Sequence, residues 1–190
     1  DDAALQKVAM LAAELDINLH IHAHETQQEV DDALRASGQR PLAKLHELGV
    51  LTPRTQLVHM TTLNNDDIEL IKLSGAHVVH CPNSNMKLAS GFCPVQQLLD
   101  AGINVALGTD SAASNNSLDM FAEMRSAALL AKVVSQDAAA LSAFQTLEAA
   151  TLSGAKAMGI DHKIGSLEVG KQADIIAIDF AAIEQQPVYN

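Results

Sequence analysis

Short apolar, β-rich runs alternate along this chain with longer stretches of helical spacing, and that alternation is the strongest limit on how it can fold. Ala3 to Leu15 sets Ala4, Leu5, Val8, Leu11, Ala12 and Leu15 at helical intervals. Ile17 to His22 reads as a strand. Glu29–Ala36 and Pro41–Leu48 read as helices, the second with Pro in its first turn and Gly49 as its stop. Gln56–His59 is the next strand, followed by a helix capped by Asn64, Asn65 or Asp66 and running to Leu73. Ala76–His80 is a third strand, closed by Cys81-Pro82. Pro94–Asp100 is a short helix and Ile103–Leu107 a fourth strand. Helices are expected over Ser117–Lys132, Asp137–Ala149 and Thr151–Met158, with Met120 and Met124 in the core. Alternation of this kind implies a parallel sheet with crossover helices, doubly wound or closed into a barrel. Beyond Gly159 the character changes. Gly165–Gly170 and Ala173–Ile178 read as two short strands of a separate β element, which divides the chain into residues 1–163 and 164–190.

Composition narrows the function classes. Twelve Lys and Arg stand against 23 Asp and Glu, a net charge of -11 that opposes nucleic-acid backbones and anionic lipid surfaces. No apolar run approaches the roughly 20 residues of a membrane span. Only two cysteines, Cys81 and Cys93, are present, too few for a disulfide framework and too far apart for a CxxC site. A reducing cytoplasm is the expected compartment, and both thiols are expected to be buried and inert. The expected partner is a small-molecule substrate, with a homo-oligomer left open.

Eight histidines are the unusual count, and several fall at one kind of place. The four strand runs end at or near His22, His59, His80 and Asp110, at intervals of about 20 to 40 residues, the scale of one βα unit. In a parallel barrel such ends converge on one mouth, where active sites sit. Imidazole and carboxylate together suit zinc or iron. His20, His22 and His24 alternate on one face if the strand continues that far, so His22-Ala23-His24 is one candidate metal pair. The other arrangement takes His22 as ligand and Glu25 as a nearby acid/base, and it is preferred because only three further strands follow. His20 and His24 then fill packing or supporting positions. Gly108 allows a tight turn after the fourth strand, delivering Asp110 as an anionic ligand and base. Ser114-Asn115-Asn116-Ser117 reads as a cap for the next helix.

Three runs carry a resemblance. His80-Cys81-Pro82-Asn83-Ser84-Asn85-Met86-Lys87-Leu88, Gly108-Thr109-Asp110-Ser111 through Ser117, and His22-Ala23-His24-Glu25-Thr26 resemble the amidohydrolase superfamily. The branch they resemble is the triazine-hydrolase-like one, which includes 5-methylthioadenosine/S-adenosylhomocysteine deaminases and chlorohydrolases. Ile164 to Asp174 resembles that family's return into a small β-sandwich. The resemblance implies a (β/α)8 barrel of which this chain supplies strands five to eight, and hence the C-terminal part of a larger enzyme. It implies one divalent metal ion, zinc before iron, with His22 and Asp110 as metal ligands. Glu25 would be the acid/base that also meets substrate, His59 the histidine against water or substrate, and Asp110 a proton carrier. His80 has no such role and is assigned to structure. The family's first-strand His-x-His pair is absent. The implied reaction is hydrolytic deamination of an aminopurine nucleoside. A triazine chlorohydrolase or guanine-type deaminase is the near alternative, and a non-catalytic scaffold the distant one.

Overall fold

The computed structural model describes residues 1–180. In chain order it runs α1 (Asp2–Leu15), β1 (Leu19–Ala23), α2 (Gln27–Ser37), α3 (Pro41–Glu47), β2 (Thr55–His59), α4 (Asn65–Ser74), β3 (His77–His80), α5 (Pro82–Lys87), α6 (Val95–Asp100), β4 (Val105–Leu107), α7 (Ala112–Asn115), α8 (Met120–Ser135), α9 (Ala143–Ala150) and α10 (Leu152–Ala157). The strands form one parallel sheet in the order β1-β2-β3-β4, each beside its sequence neighbour. That order is a segment of a barrel wall, whereas a doubly wound sheet would reverse direction at a switch point.

Register assigns the two faces. Ile21, Leu57, Val78 and Val105 are aligned across the sheet and join the helix-side core with Leu42, Leu45, Ile71 and Leu98. The opposite face carries His22, Val58, Val79 and Ala106 in one row. A row below it, the His20 ring meets Gln56 Oε1 at 2.6 Å, and Gln56 Nε2 donates to the Ala157 carbonyl at 2.9 Å. Asn104 Nδ2 likewise donates to the Ser153 carbonyl at 2.9 Å. These bonds seat α10 under the end of the sheet away from the His22 and His59 strand ends.

Local chemistry fixes the helix starts. Asn64 and Asp67 form a reciprocal capping box at α4, and Ser142 and Gln145 form one at α9. Asp119 caps α8 by accepting from the backbone N–H groups of Phe121 and Ala122. The helix expected from Ser117 therefore starts at Met120, and the serines and asparagines before it are used elsewhere. The expected helix from Asp137 begins at Ala143. Helices α5 and α7, absent from the sequence reading, follow β3 and β4 directly.

Residues 164–180 contain no strand, so the two short strands expected there are not formed. Leu167, Val169, Ile175 and Ile176 are exposed. A strand exists only through a ladder of pairing, and among the described residues no such ladder forms in this segment. Residues 181–190 lie outside the described part. Among the described residues no helix is long and apolar enough to cross a membrane.

Candidate active site

β1 stops at Ala23, and its next residue turns away. His24 has φ 50° and is fully buried, so it leaves the face that His20 and His22 share. Its Nδ1–H donates to the Thr62 carbonyl at 2.8 Å, and its Nε2 accepts the Leu42 backbone N–H at 3.1 Å. Those partners fix one neutral tautomer. Burial, the dominant influence, lowers its pKa. The pairing of His22 with His24 as metal ligands is thereby removed, and the supporting role stands.

The turn at His24 swings Glu25 towards the sheet's inner face. Glu29, in the first turn of α2, accepts the backbone N–H groups of both His24 and Glu25, at 2.9 and 2.8 Å. The Thr61 hydroxyl lies 2.7 Å from the Glu25 carbonyl as its donor, and the Ser90 hydroxyl donates to Glu25 Oε1 at 3.3 Å. Both the backbone and one carboxylate oxygen of Glu25 are therefore held. Its other oxygen, Oε2, lies 3.7 Å from His59 Nε2.

His59 closes β2 with φ 78°, a left-handed backbone that a non-glycine residue holds only where its surroundings impose it. The ring is completely buried. Its Nδ1 meets Asn85 Oδ1 at 2.8 Å, an oxygen that can only accept, so Nδ1 carries the proton and Nε2 carries a lone pair. That lone pair faces His22 Nδ1 at 3.3 Å and the Glu25 carboxylate. Ligand atoms of His22, Glu25 and His59 all lie within 4.8 Å of one another. An imidazole lone pair shared between a second imidazole and a carboxylate oxygen gathers several acceptor atoms at one point. Such a gathering is satisfied by a proton or a cation between those atoms, so this donor set fits a metal ion.

Asp110 stands after β4, outside that three-residue cluster. Its φ of 58° makes Asp110 itself the turning residue. Gly108 serves differently from the expectation: a Cβ there would come within 3.1 Å of Val79 and 3.5 Å of the Cys81 sulfur, so glycine provides room and not the turn. The hydroxyls of Ser84 and Ser114 both donate to Asp110 Oδ2, at 2.6 and 2.7 Å. Burial acts to raise the Asp110 pKa, but these two donors, the Ser111 backbone N–H and nearby His59 together hold it below the ordinary carboxylate range. Asp110 is thus a standing anion.

The model of the Amidohydrolase family matches residues 1–190. The chain belongs to the amidohydrolase family. It is 54% identical over its whole length to a 5-methylthioadenosine/S-adenosylhomocysteine deaminase of Teredinibacter turnerae, of which it spans 43%. Its fold is similar to an adenosine deaminase from Xanthomonas campestris solved with bound zinc, at TM-score 0.97 and 54% identity, covering all of this chain and 43% of that one. It is also similar to an atrazine chlorohydrolase from Arthrobacter aurescens complexed with zinc, at TM-score 0.93 and 26% identity, covering 100% of this chain and 42% of the other.

In this amidohydrolase chain several residues around the candidate site were not singled out from the sequence. Asn85, Ser84, Ser90 and Glu29 all touch a candidate catalytic group or its backbone. Ser114 was read as a helix cap and instead donates to Asp110. The one available signal was position, since Ser84 and Asn85 directly follow a strand end. Cys81 and Cys93 are buried as expected. Burial, with Asp110 and Glu123 adding to it, pushes the Cys81 thiol up to about 12, and burial raises Cys93 as well, which leaves neither as a nucleophile.

Proposed function

We propose that the chain forms the strand-five-to-eight half of a cytoplasmic, metal-dependent deaminase acting on an aminopurine nucleoside such as 5-methylthioadenosine or S-adenosylhomocysteine. The observation that carries the reading is the convergence of His22, Glu25 and His59 at the ends of β1 and β2, with the anion of Asp110 after β4 in the same sheet. The 54% identity to a protein named for that activity supports the substrate class, and the zinc in similar solved structures supports the metal. His22 and Asp110 are the ligands this chain would contribute. A four-coordinate site is completed by groups outside these four strands. A divalent ion there supplies a Lewis acid that lowers the pKa of water from about 16 towards about 7.

The side chains divide the remaining work. The Nε2 lone pair of His59 accepts a hydrogen bond from the attacking water and aims it at the ring carbon bearing the amino group. Glu25 protonates the ring nitrogen beside that carbon, giving the ring electrons somewhere to go as the C–O bond forms. Asp110 takes the water's proton on Oδ1, the oxygen free of serine hydroxyls, and passes it to the departing amino group. The C–N bond then breaks and ammonia leaves, the new hydroxyl gives its proton back to the Glu25 carboxylate, and the ring carbonyl remains with Glu25 again protonated. Positioned proton transfers of this kind contribute about 10² to 10⁴-fold each. Residues 164–190 are proposed as the return into a second, β-rich domain.

The test compares leaving groups in the full-length protein. Ammonia release from 5-methylthioadenosine, S-adenosylhomocysteine and guanine is measured beside chloride release from atrazine. Ammonia from the two nucleosides at rates well above the others is the expected result. Chloride release as the fastest reaction would replace this reading with the dechlorination suggested by the 26% identical neighbour.

A further inference from the structure

We propose that Glu123, on α8 and away from the candidate ligands, is a positioning residue that sets the orientation of Asp110. Its carboxylate is completely buried, and its partners are amides and not cations. Asn83 Nδ2 donates to Oε1 at 2.7 Å, the Asn83 backbone N–H approaches Oε2 at 3.4 Å, and Asn115 Nδ2 also donates to Oε1. Each asparagine is tied a second time, Asn83 by accepting from the Ser126 hydroxyl at 2.7 Å and Asn115 by donating to the Thr109 carbonyl at 2.7 Å.

The consequence lies one residue along in each loop. Asn83 precedes Ser84 on α5, and Asn115 follows Ser114 on α7. In both pairs the asparagine binds Glu123 while the serine donates to Asp110. One buried carboxylate therefore fixes the separation of two loops, and that separation brings both hydroxyls onto the same oxygen, Oδ2. Oδ1 is left with neither serine and is the oxygen available to a metal or a proton. A purely packing role at this place would be filled as well by an apolar side chain. Three converging N–H donors instead call for a group that only accepts. Burying it is costly, and those donors are what offset the cost.

The inference rests on the proposed role of Asp110, and its test separates the two. Zinc affinity is measured by direct titration of the full-length protein, alongside kcat and KM for 5-methylthioadenosine, with circular dichroism as the control for folding. Glu123→Met removes every acceptor and is expected to cost about 10- to 100-fold in zinc affinity and kcat, with KM nearly unchanged. Glu123→Gln keeps an oxygen for both asparagine amides and is expected to restore most of that loss. If Glu123→Met does not fold, the Ser84→Ala/Ser114→Ala double variant, which leaves Glu123 in place, should reproduce the fall in zinc affinity. Wild-type zinc affinity in a folded Glu123→Met protein, or in the double serine variant, would overturn the proposal. A Glu123→Gln protein as impaired as Glu123→Met would overturn it too. A fall in zinc affinity in a protein whose wild type releases no ammonia would leave the positioning role standing and reject the deaminase reading.

Discussion

His59 and His80 end neighbouring strands and have opposite surroundings. His59 has its proton placed by Asn85 and its lone pair turned into the site, whereas neither ring nitrogen of His80 has a hydrogen-bond partner. Burial first, and His59 second, push the His80 pKa down to about 3. The folded-state pKa thus lies below the unfolded value near 6.5. The unfolded chain binds the extra proton between those values, so the stability tied to a neutral His80 is complete above about pH 6.5 and lost as pH falls towards 3. His80→Leu is expected to flatten the acid side of the stability profile by up to about 1.4 kcal/mol per pH unit. Urea unfolding at pH 7, 6, 5 and 4 measures this, and an unchanged slope would show that the ring is not the group responsible. The places of His22, His59, His80 and Asp110 were legible in the sequence because a strand's apolar run marks its own end. Their partners were not. Ser and Asn after a strand read equally well as turn formers, caps or donors, and only the folded positions of Ser84, Asn85 and Ser114 decide between those roles.

At the level of elements, the four strands and most longer helices follow from periodicity, and the departures have physical causes. Helix α5 has the sequence Pro-Asn-Ser-Asn-Met-Lys, without an apolar stripe, and packing around Asp110 and His59 holds it in place of amphipathicity. The terminal apolar runs make no strand because pairing, and not propensity, creates one. Helix α4 shows how one side chain can serve two elements. Asp67, nearly fully buried, completes the α4 capping box at Asn64 and accepts Arg40 Nε at 2.9 Å and Nη2 at 2.6 Å, where the chain enters α3. Arg40 also donates to the Thr62 carbonyl, the same oxygen that orients His24. Asp67→Ala is therefore expected to cost about 3–5 kcal/mol, because it strands a partly buried guanidinium as well as removing a cap. Asp2→Ala, which breaks the more exposed Lys44–Asp2 pair at 2.7 Å, should cost far less, because water screens that pair. Equal losses for the two variants in denaturant unfolding would contradict this ranking.

Across the whole molecule, the described residues form an open, four-stranded parallel wall with β1 and β4 at its edges. A closed barrel of this type takes about 250 residues and eight strands, and this chain spans 43% of its Teredinibacter turnerae relative. The family and the half-barrel were legible because motifs at strand ends survive without the rest of the barrel. The substrate was less so, since much of a barrel's mouth comes from strands this chain does not supply. What the chain does hold is the proposed chemistry: an acid clamped by Glu29 and Ser90, a histidine with one tautomer, and an aspartate with both serine hydroxyls on one oxygen. Ammonia release from 5-methylthioadenosine by the full-length Glu25→Gln protein, with its zinc content measured on the same sample, tests that chemistry most directly. A rate lowered by at least about 10²-fold, with zinc retained, is the predicted result. A Glu25→Gln enzyme that keeps its metal and turns over like the wild type would contradict the account.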